Sequence, residues 1–433
     1  MIVLRVVLCA ITLFLLPTVL QAVTVTDSTT LQQALQQKQP FIKLGPGNYR
    51  GNFLITHRAE LQCEPDAVID AEHQGDALRI SAAHVTIEGC TIINWGADLT
   101  AMNAGIFIEK QAGSVHITRN TLQGDTFGIW VDASHDALIT HNRIEGNLNI
   151  RSQDRGNGIH LYAAQGANVA YNEVWHTRDG IYIDTSNGNR LHSNHLHHLR
   201  YGVHYMYSHH NEVSHNRTHH TRTGYALMQS KHLLVFGNLS DQDENYGILM
   251  NFITESHIHN NQISNVQTGS NPTGTGSIVG AEGKALFIYN SVFNVIENNI
   301  FQSSDLGIHL TAGSEDNRIS GNAFIQNRQQ VKYVSNRTQE WSYEEHGNYW
   351  SDYLGWDRNN NGVGDTAYEP NDAMDKLLWT YPLARLLINS PAVETLRWIQ
   401  KTFPVLRSPG VQDSYPLMAP PDASIALVQG ATQ

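Results

Sequence analysis

A stretch of 32 residues in the middle of the chain concentrates side chains that bind metal ions. The segment "NRLHSNHLHHLRYGVHYMYSHHNEVSHNRTHH", residues 189–220, contains ten of the 23 histidines together with Met206. Imidazole nitrogen and thioether sulfur, without thiolate, form a ligand set that favours copper, particularly Cu(I), over magnesium or calcium. Three interpretations compete for this segment: a metal site, a sugar-binding wall and a decorated but inert surface.

A repeat of about 22 residues determines where these side chains point. Short Gly-led apolar strands begin at Gly105, Gly128, Gly158, Gly180, Gly202, Gly224, Gly247 and Gly307. A second series keeps the same step and consists of Asn120, Asn142, Asn172, Asn194, Asn216, Asn238, Asn261, Asn299 and Asn322. Two independent markers with one period, and alternating apolar residues within each strand, predict a right-handed parallel β-helix. Asparagine suits its turns because it tolerates left-handed backbone angles and can bond to the asparagine of the next coil.

The alternation within each Gly-led strand predicts one outward-facing metal site. Residues one and three after the glycine are apolar and should face the interior, so residues two and four should face outward. His204 and Met206 are such a pair, and Met228 takes the place of Met206 on the next coil. Asp184 occupies that place on the coil below. The sequence therefore predicts a site for one soft ion at His204, Met206 and Met228, with Asp184 adjacent.

A second column of histidines follows the asparagine turn. His176, His198 and His220 each lie four residues after their asparagine, with His197 and His219 as a parallel pair one place earlier. Imidazoles one coil apart repel each other when all are protonated, so the column favours neutral or metal-bound rings at pH 7. His198 and His220 are thus candidate metal ligands, and a solvated ladder of turn residues is the alternative.

The start of the chain and its charge limit where the protein acts and what it binds. Arg5, the apolar run "VVLCAITLFLLPTVL" and "LQA" ending at Ala22 are typical of a secretory signal, so an exported protein is expected. Cys63 and Cys90 then remain in an oxidising compartment, where they can form one disulfide. The formal charge of −12 disfavours a nucleic-acid partner. After the signal, no apolar run of membrane-spanning length follows.

A polysaccharide-active enzyme is the alternative from a different class, because parallel β-helices often carry sugar chemistry. Asp132 and Asp184 share an outward column, with Tyr162 between them. Two coils separate the carboxylates by about 9.6 Å, at the edge of the range for inverting glycosidases. Beyond Trp130 and Tyr182, the sequence offers no aromatic platform beside that pair. A polysaccharide-binding or polysaccharide-cleaving protein therefore stays open on these residues.

The repeats and the closing segment together resemble a known family. The coils "GIYIDTSNGN" to "GVHYMYSHHN", the segment "GNYWSDY" and the tail "PGVQDSYPLM" resemble the NosD family, periplasmic maturation proteins of nitrous oxide reductase. The resemblance covers nearly all of the mature chain. It implies a copper-handling protein that docks on an ABC transporter made of the ATPase NosF and the permease NosY. It also implies that this chain receives copper from the lipoprotein NosL and delivers it to the copper clusters of nitrous oxide reductase. No reaction catalysed by this chain is implied.

A polar loop in the closing segment has part of a calcium-binding pattern. The residues spaced as in the first part of an EF-hand loop are Asp357, Asn359, Asn361 and Asp365, with Gly362 at the turn. The twelfth position is Tyr368 rather than the bidentate glutamate. A polar turn that caps the β-helix is therefore favoured over a calcium site.

The tail has apolar residues at helical spacing and predicts two short amphipathic helices, separated at Pro391. The candidate partner-binding residues are Trp379, Arg385, Arg397 and Trp398. Packing on the last coil is one interpretation, and contact with a membrane surface or with a transporter is the other, which the resemblance favours. The predicted organisation is an all-β chain with a signal at 1–22, a β-helix at 23–340, a capping segment at 341–375 and a docking tail at 376–433.

Overall fold

The protein forms a parallel β-solenoid, seen in a computed structural model that describes residues 22–268, 282–311, 313–371, 375, 379, 381, 390–402 and 409–421. The predicted signal up to residue 21, residues 269–281 and Arg385 lie outside the described residues. Each regular coil contributes one strand to each of three parallel sheets. The β-helix prediction is confirmed as a parallel solenoid.

Sheet 1 contains the Gly-led strands, and within the described residues it has 12 members. They are Phe53–Ile55, Leu78–Ile80, Ala104–Ile108, Phe127–Asp132, Ile159–Tyr162, Asp179–Asp184, Tyr201–Met206, Thr223–Met228, Tyr246–Asn251, Lys284–Tyr289, Leu306–Thr311 and Gln329–Val334. All neighbours in this sheet are parallel and in register, so equivalent residues of successive coils stand side by side.

Sheets 2 and 3 consist of shorter strands, 13 in each across the described residues. Sheet 2 is Val23–Val25, Phe41–Leu44, Glu60–Cys63, Thr86–Glu88, His116–Thr118, Leu138–Thr140, Asn168–Ala170, Arg190–His192, Glu212–Ser214, Leu234–Phe236, His257–His259, Val295–Glu297 and Arg318–Ser320. Sheet 3 is Gly47–Arg50, Ala67–Asp70, Thr91–Ile93, Thr121–Gln123, Arg143–Glu145, Glu173–Trp175, His195–His197, Arg217–His219, Leu239–Asp241, Gln262–Ser264, Ile300–Gln302, Ala323–Ile325 and Tyr349–Trp350.

The predicted alternation in sheet 1 is confirmed. Val203 and Tyr205 are fully buried in the solenoid, whereas His204 and Met206 face away from it and are partly exposed. Gly202 is required where this strand approaches its neighbours, because a Cβ atom there would lie 2.5 Å from Thr218 Cγ2 and 2.6 Å from the carbonyl oxygen of Gly224. The glycine series thus marks the tight corner between sheet 3 and sheet 1.

A continuous ladder of buried asparagines runs along the solenoid. Asn216, for example, donates from Nδ2 to the carbonyl oxygen of Leu191 (2.8 Å) and to Asn238 Oδ1 (3.0 Å). Its own Oδ1 accepts from the backbone nitrogen (3.0 Å) and the Nδ2 (2.9 Å) of Asn194. The same pattern joins Asn120, Asn142, Asn172, Asn194, Asn216, Asn238, Asn261, Asn299, Asn322 and Asn348.

The backbone role expected for these asparagines is wrong, although their mutual bonding is confirmed. The left-handed residues lie one position earlier, as at Ser193 (φ 55°) and His215 (φ 54°) before Asn194 and Asn216. The asparagines instead point inward and are at most 2% exposed, and their amides satisfy backbone groups at the corner. A buried backbone group needs a hydrogen-bond partner, and the side-chain amide of asparagine supplies it at each corner.

Both ends of the solenoid are covered. Helix α1 (Ser28–Gln36), capped by Asp27, packs Leu31 and Leu35 onto the first coils. Cys63 and Cys90 form the expected disulfide, and Cys90 donates its backbone N–H to Asn120 Oδ1 at the start of the ladder.

At the C-terminal end, the chain returns to close the last coil. Gln339–Glu340 pairs in parallel with Val411–Gln412. Asp413 Oδ2 accepts from the backbone nitrogen of Asn348 (2.7 Å) and from Trp350 Nε1 (2.8 Å), so the ladder ends on this carboxylate. Residues 409–421, part of the predicted docking tail, therefore belong structurally to the cap.

The outer face of sheet 1 is covered near its first coils by an aromatic cluster. Phe107, Phe127 and Trp130 are less than 10% exposed and form one apolar group. His160 continues the column, with its ring centroid 4.0 Å from that of Trp130, and its Nδ1 lies 3.2 Å from Asn157 Nδ2. Burial lowers the pKa of His160 to about 3, with smaller effects of Asp179, which raises it, and of His204, which lowers it.

The Asn216→Ala change should destabilise the solenoid strongly. The change removes the hydrogen-bond partner of the Leu191 carbonyl and of two N–H donors on Asn194. Each of these three buried groups left without a partner costs roughly 1 kcal/mol or more, so the free energy of unfolding should fall by about 3 kcal/mol. Urea denaturation followed by circular dichroism measures this loss. The exposed Asn149→Ala variant is the matched control, and an equal effect in both would contradict a stabilising ladder.

The neutral state of His160 makes stability depend on pH. Its folded pKa lies below the value of about 6.5 in the unfolded chain, so the unfolded state takes up a proton first as the pH falls. This contribution is complete above about pH 6.5 and is lost at up to about 1.4 kcal/mol per pH unit below it.

The variant His160→Phe removes the titrating group but keeps an aromatic ring, as at Phe107 in the same column. The unfolding free energy of the wild type minus that of the variant should fall between pH 6 and pH 4. A difference that stays constant with pH would mean that folding does not lower the pKa of His160.

Candidate metal centre

Two thioethers stand side by side on the outer face of sheet 1. Met206 and Met228 are register partners in adjacent strands, and both side chains are partly exposed. The column continues with Asp184 opposite Met206 and Asn251 opposite Met228. We call Asp184, Met206, Met228 and Asn251 the methionine column. Neighbouring parallel strands lie about 4.8 Å apart, a separation that two sulfur ligands of one ion can bridge.

His204 lies on the same outer face, two residues before Met206. A buried ion pair orients its ring: Nδ1 lies 2.9 Å from Asp179 Oδ2, and Arg200 holds both oxygens of this carboxylate at 2.8 and 2.6 Å. Asp179 is 1% exposed, and its hydrogen bonds to His204 and Arg200 outweigh its burial and lower its pKa to about 2. The ionised Asp179 accepts a hydrogen bond from the Nδ1–H of His204, which leaves Nε2 of this ring as the ligand nitrogen.

The methionine column and His204 combine soft sulfur with one oriented imidazole. Such a set suits Cu(I), whereas the adjacent carboxylate of Asp184 is a harder ligand. Asp184 accepts a hydrogen bond from the Thr185 hydroxyl at 2.9 Å. The structure thus places the four predicted residues on one outer face, with Asp184 and the methionines in a single column.

A separate group of histidines lies on sheet 3 and on the corner that follows it. We call His195, His197 and His219 the sheet-3 histidines; one nitrogen of each lies within 4.8 Å of the others. Among the residues that the structure describes, this is the one group of three histidine, cysteine or carboxylate ligands at such spacing. His195 Nε2 lies 2.9 Å from His219 Nε2, and the rings of His197 and His219 stack at 4.9 Å.

The predicted ligands His198 and His220 flank this group. Nδ1 of His198 lies 2.8 Å from Nδ1 of His197, and Nδ1 of His220 lies 2.8 Å from Nδ1 of His219. Both residues have left-handed backbones, with φ of 55° and 52°. His176, the third member of the predicted column, has its ring centroid 5.7 Å from that of His198 and also approaches Glu145 at 3.4 Å. The rings of His198 and His220 stack at 5.2 Å, so the predicted column is present.

Each short nitrogen–nitrogen contact requires at least one neutral ring, because one of the two imidazoles must accept the hydrogen bond. Burial, assisted by the neighbouring histidines, lowers the pKa of His197 and of His219 to about 3. It also lowers the pKa of His195 and of His198. Neutral imidazoles keep the lone pairs that metal ions bind.

Sequence reasoning missed His195 and Asp179. The pattern "HLH" at 195–197 carries a signal for the first, since residues two apart in a strand share a face. His195 lies opposite Arg217 in the register and reaches His219 diagonally, which the column rule does not describe. Asp179 precedes a glycine at a corner, and no motif distinguishes it from an ordinary turn acid.

The arrangement of the outward acids agrees with the sequence, but Trp130 is buried and cannot bind a sugar ring. Asp132, Tyr162 and Asp184 are consecutive register partners, as expected. Trp130, however, is 6% exposed and packs edge-on against Phe127 at 4.7 Å. A buried indole cannot stack on a sugar ring, so Trp130 gives the polysaccharide interpretation no support, whereas Tyr162, between the two acids, is 43% exposed.

The polar loop of the cap is closed by its own backbone. Asp357 accepts from the backbone nitrogens of Asn361 (3.1 Å) and Gly362 (2.7 Å), and Asp365 accepts from that of Arg358 (2.8 Å). These hydrogen bonds account for the loop as a polar turn. A calcium site in this loop stays a prediction.

The second tail helix, α2 (Pro391–Thr402), begins at the proline predicted to start it. Val393 is buried, whereas Leu396 and Trp398 are 45% and 63% exposed. Trp379 is half-buried in a helical turn, and the side chain of Arg397 lies outside the described part. Along the described chain, no helix has the length and apolar character needed to cross a membrane.

Comparison with known sequences gives one consistent result. A family model described as "Periplasmic copper-binding protein (NosD)" matches residues 142–355. A "Probable ABC transporter binding protein NosD" of Stutzerimonas stutzeri is 63% identical over 380 residues, 88% of this chain and 87% of that protein. A protein of the same name from Pseudomonas aeruginosa is also 63% identical, covering 88% of each chain.

Solved structures share the fold at low identity. A family 28 exopolygalacturonase of Yersinia enterocolitica superimposes with a TM-score of 0.54 and 10% identity, covering 72% of this chain and 77% of that one. The A-module of the mannuronan C-5 epimerase AlgE6 of Azotobacter vinelandii gives 0.51 and 13%, covering 75% and 95%. At such identities, the likeness shows the solenoid architecture alone.

Proposed function

Because this chain belongs to the NosD family of periplasmic copper-binding proteins, we propose that it takes up copper on sheet 1 and passes it on while docked to an ABC transporter. The copper is cargo for assembly of the copper clusters of nitrous oxide reductase. The chain itself catalyses no reaction, and the ATP chemistry belongs to the transporter.

The pairing of Met206 with Met228 carries this proposal. Two thioethers and the oriented His204 provide three soft or borderline ligands, a number that holds Cu(I) without a thiolate. Asp179 and Arg200 restrict the ring of His204, so less ordering is required when the ion binds. Asp184 lies next to the ion as a carboxylate that partly offsets its charge.

Exposure of the ligands supports transfer rather than storage. Met206, Met228 and His204 are each partly exposed on a rigid sheet, so a partner can approach the ion from outside. A donor protein exchanges ligands with such a site one at a time, which lowers the barrier to release. We propose the copper lipoprotein NosL as the donor and nitrous oxide reductase as the recipient.

Docking on the transporter is proposed for the tail helix α2. Leu396 and Trp398 are exposed apolar residues of this helix, and Trp is common at protein and membrane interfaces. The relatives named as ABC transporter binding proteins support a transporter partner. We propose the NosF–NosY pair, with Trp379, Arg385 and Arg397 as further contacts beside the membrane surface.

Replacing both thioethers should remove sulfur from the bound copper. Under anaerobic conditions, the wild-type protein titrated with Cu(I) should show sulfur scattering in X-ray absorption spectra. Met206→Leu with Met228→Leu keeps the apolar volume and should abolish that scattering. The variant Met102→Leu with Met418→Leu, at exposed positions elsewhere, should leave it unchanged. Sulfur ligation that persists in the first variant would place the site elsewhere.

Polar substitution of the two exposed apolar residues of α2 should prevent formation of the complex with the transporter. Leu396→Ser with Trp398→Ser should abolish co-purification with the transporter and leave the circular dichroism of the solenoid unchanged. A smaller intervention than removing 376–433 is needed, because that deletion also removes Asp413 from the cap.

The matched control for this experiment is Leu354→Ser with Trp356→Ser. These two residues are also an exposed leucine and tryptophan two positions apart, but they lie on the cap, at 91% and 61% exposure. The proposal expects the control to keep the complex. Loss of the complex in the control with retention in the α2 variant would reassign docking to the cap.

A further inference from the structure

We infer that the sheet-3 histidines form a second metal site, built from imidazole nitrogen alone, that takes a divalent first-row cation such as Cu²⁺. This inference goes beyond the proposed transfer of copper on sheet 1, and it involves different residues on a different sheet. It stands or falls independently of the methionine column.

The geometry brings three ligands together from two coils. His195 and His197 share one face of a strand, and His219 is the register partner of His197 in the next strand. The centroid of the His195 ring lies 4.8 Å from that of His197 and 5.0 Å from that of His219. One nitrogen of each ring is within 4.8 Å of the others, so a single ion can contact all three after small rotations.

The hydrogen bond between His195 and His219 marks where the ion enters. Their Nε2 atoms are 2.9 Å apart, and two nitrogens bound tetrahedrally at about 2.0–2.1 Å from one metal are about 3.3 Å apart. The ion therefore replaces the shared proton with a modest widening of this pair. That proton moves to the other nitrogen of the donor ring, so the ring stays neutral.

Neighbouring groups are placed to accept a hydrogen bond from the relocated proton, Glu173 beside Nδ1 of His195 or His220 beside Nδ1 of His219, whereas Nε2 of His197 is left for the ion. Glu173 Oε1 lies 3.8 Å from His195 Nδ1 and 3.6 Å from His197 Nε2. On the other side, His219 Nδ1 lies 2.8 Å from Nδ1 of His220. Ligand imidazoles in metal sites usually donate their second N–H to such a carboxylate or acceptor. His220 is therefore a positioning residue for the ring of His219. His198 positions the ring of His197 in the same way, through a contact of 2.8 Å between their Nδ1 atoms.

The donor set determines the class of ion. Three imidazoles near one carboxylate, without sulfur, favour borderline divalent cations, and Cu²⁺ stands highest in the affinity order for nitrogen ligands. Arg217 lies opposite His195 and opposes a cation, but Glu173 offsets this charge close to two of the rings. Trp175 stacks on His197 at 5.8 Å and limits its motion.

A second "HLH"-type strand supplies the matched control. His257 and His259 are also two residues apart on one strand, with ring centroids 4.2 Å apart, and His257 contacts Glu297 at 2.9 Å. Across the described residues, no third histidine completes this pair into a group at ligand spacing. The pair therefore has the local sequence and a carboxylate but not the third ligand.

Cu²⁺ titration of the mature protein, followed by electron paramagnetic resonance, tests the inference. The wild type and His257→Asn with His259→Asn should each bind one nitrogen-coordinated Cu²⁺. His195→Asn with His219→Asn should bind it at least about 100-fold more weakly in competition with a chelator, since changes in outer partners alone cost about 10–100-fold. Circular dichroism verifies the fold, and the single variant His219→Asn serves if the double variant unfolds.

The outcomes separate this site from the methionine column. Unchanged Cu²⁺ affinity in the sheet-3 variants, or equal losses in the His257 and His259 control, would overturn the inference, the latter by indicating adventitious surface binding. Met206→Leu with Met228→Leu should retain the Cu²⁺ signal while losing Cu(I)–sulfur scattering. Loss of the Cu²⁺ signal in that methionine variant would overturn the separation of the two sites.

Discussion

The buried asparagine ladder is the constraint on which the rest of this structure depends. Each coil turns a corner where backbone groups leave the sheets, and the ladder amides satisfy them while bonding to the next coil. A slip of one residue would turn every inward side chain outward, so the ladder holds the register as well as the corner. It begins beside the Cys63–Cys90 disulfide and ends on Asp413 in the cap.

Fixed register converts a sequence repeat into columns of identical chemistry. Met206 meets Met228 for the same reason that His197 meets His219: each pair occupies equivalent places one coil apart. Residues that do not recur from coil to coil then determine which charged groups contact each column. Asp179 orients His204 on sheet 1, whereas Glu173 faces the rings of His195 and His197 on sheet 3. One solenoid therefore presents a sulfur-rich face and a nitrogen-only face, which we propose bind different oxidation states of copper.

The repeat made much of the fold and part of the site predictable from sequence. The glycine and asparagine series located the coils, and period-two alternation correctly placed His204 and Met206 outside Val203 and Tyr205. Contacts that break the period escaped prediction, because spacing carries no information about them. The diagonal contact of His195 with His219 is one example. Another is the return of Asp413 to Asn348 across 65 residues of sequence.

Locating copper directly in the folded protein tests the central claim that sheet 1 and its methionine column hold the transferable ion. Crystals loaded with Cu(I) without oxygen, and measured on both sides of the copper absorption edge, show each bound ion as an anomalous peak. The account predicts a peak between Met206 and Met228 within bonding distance of His204. A copper peak on other residues, with none beside these methionines, would contradict it.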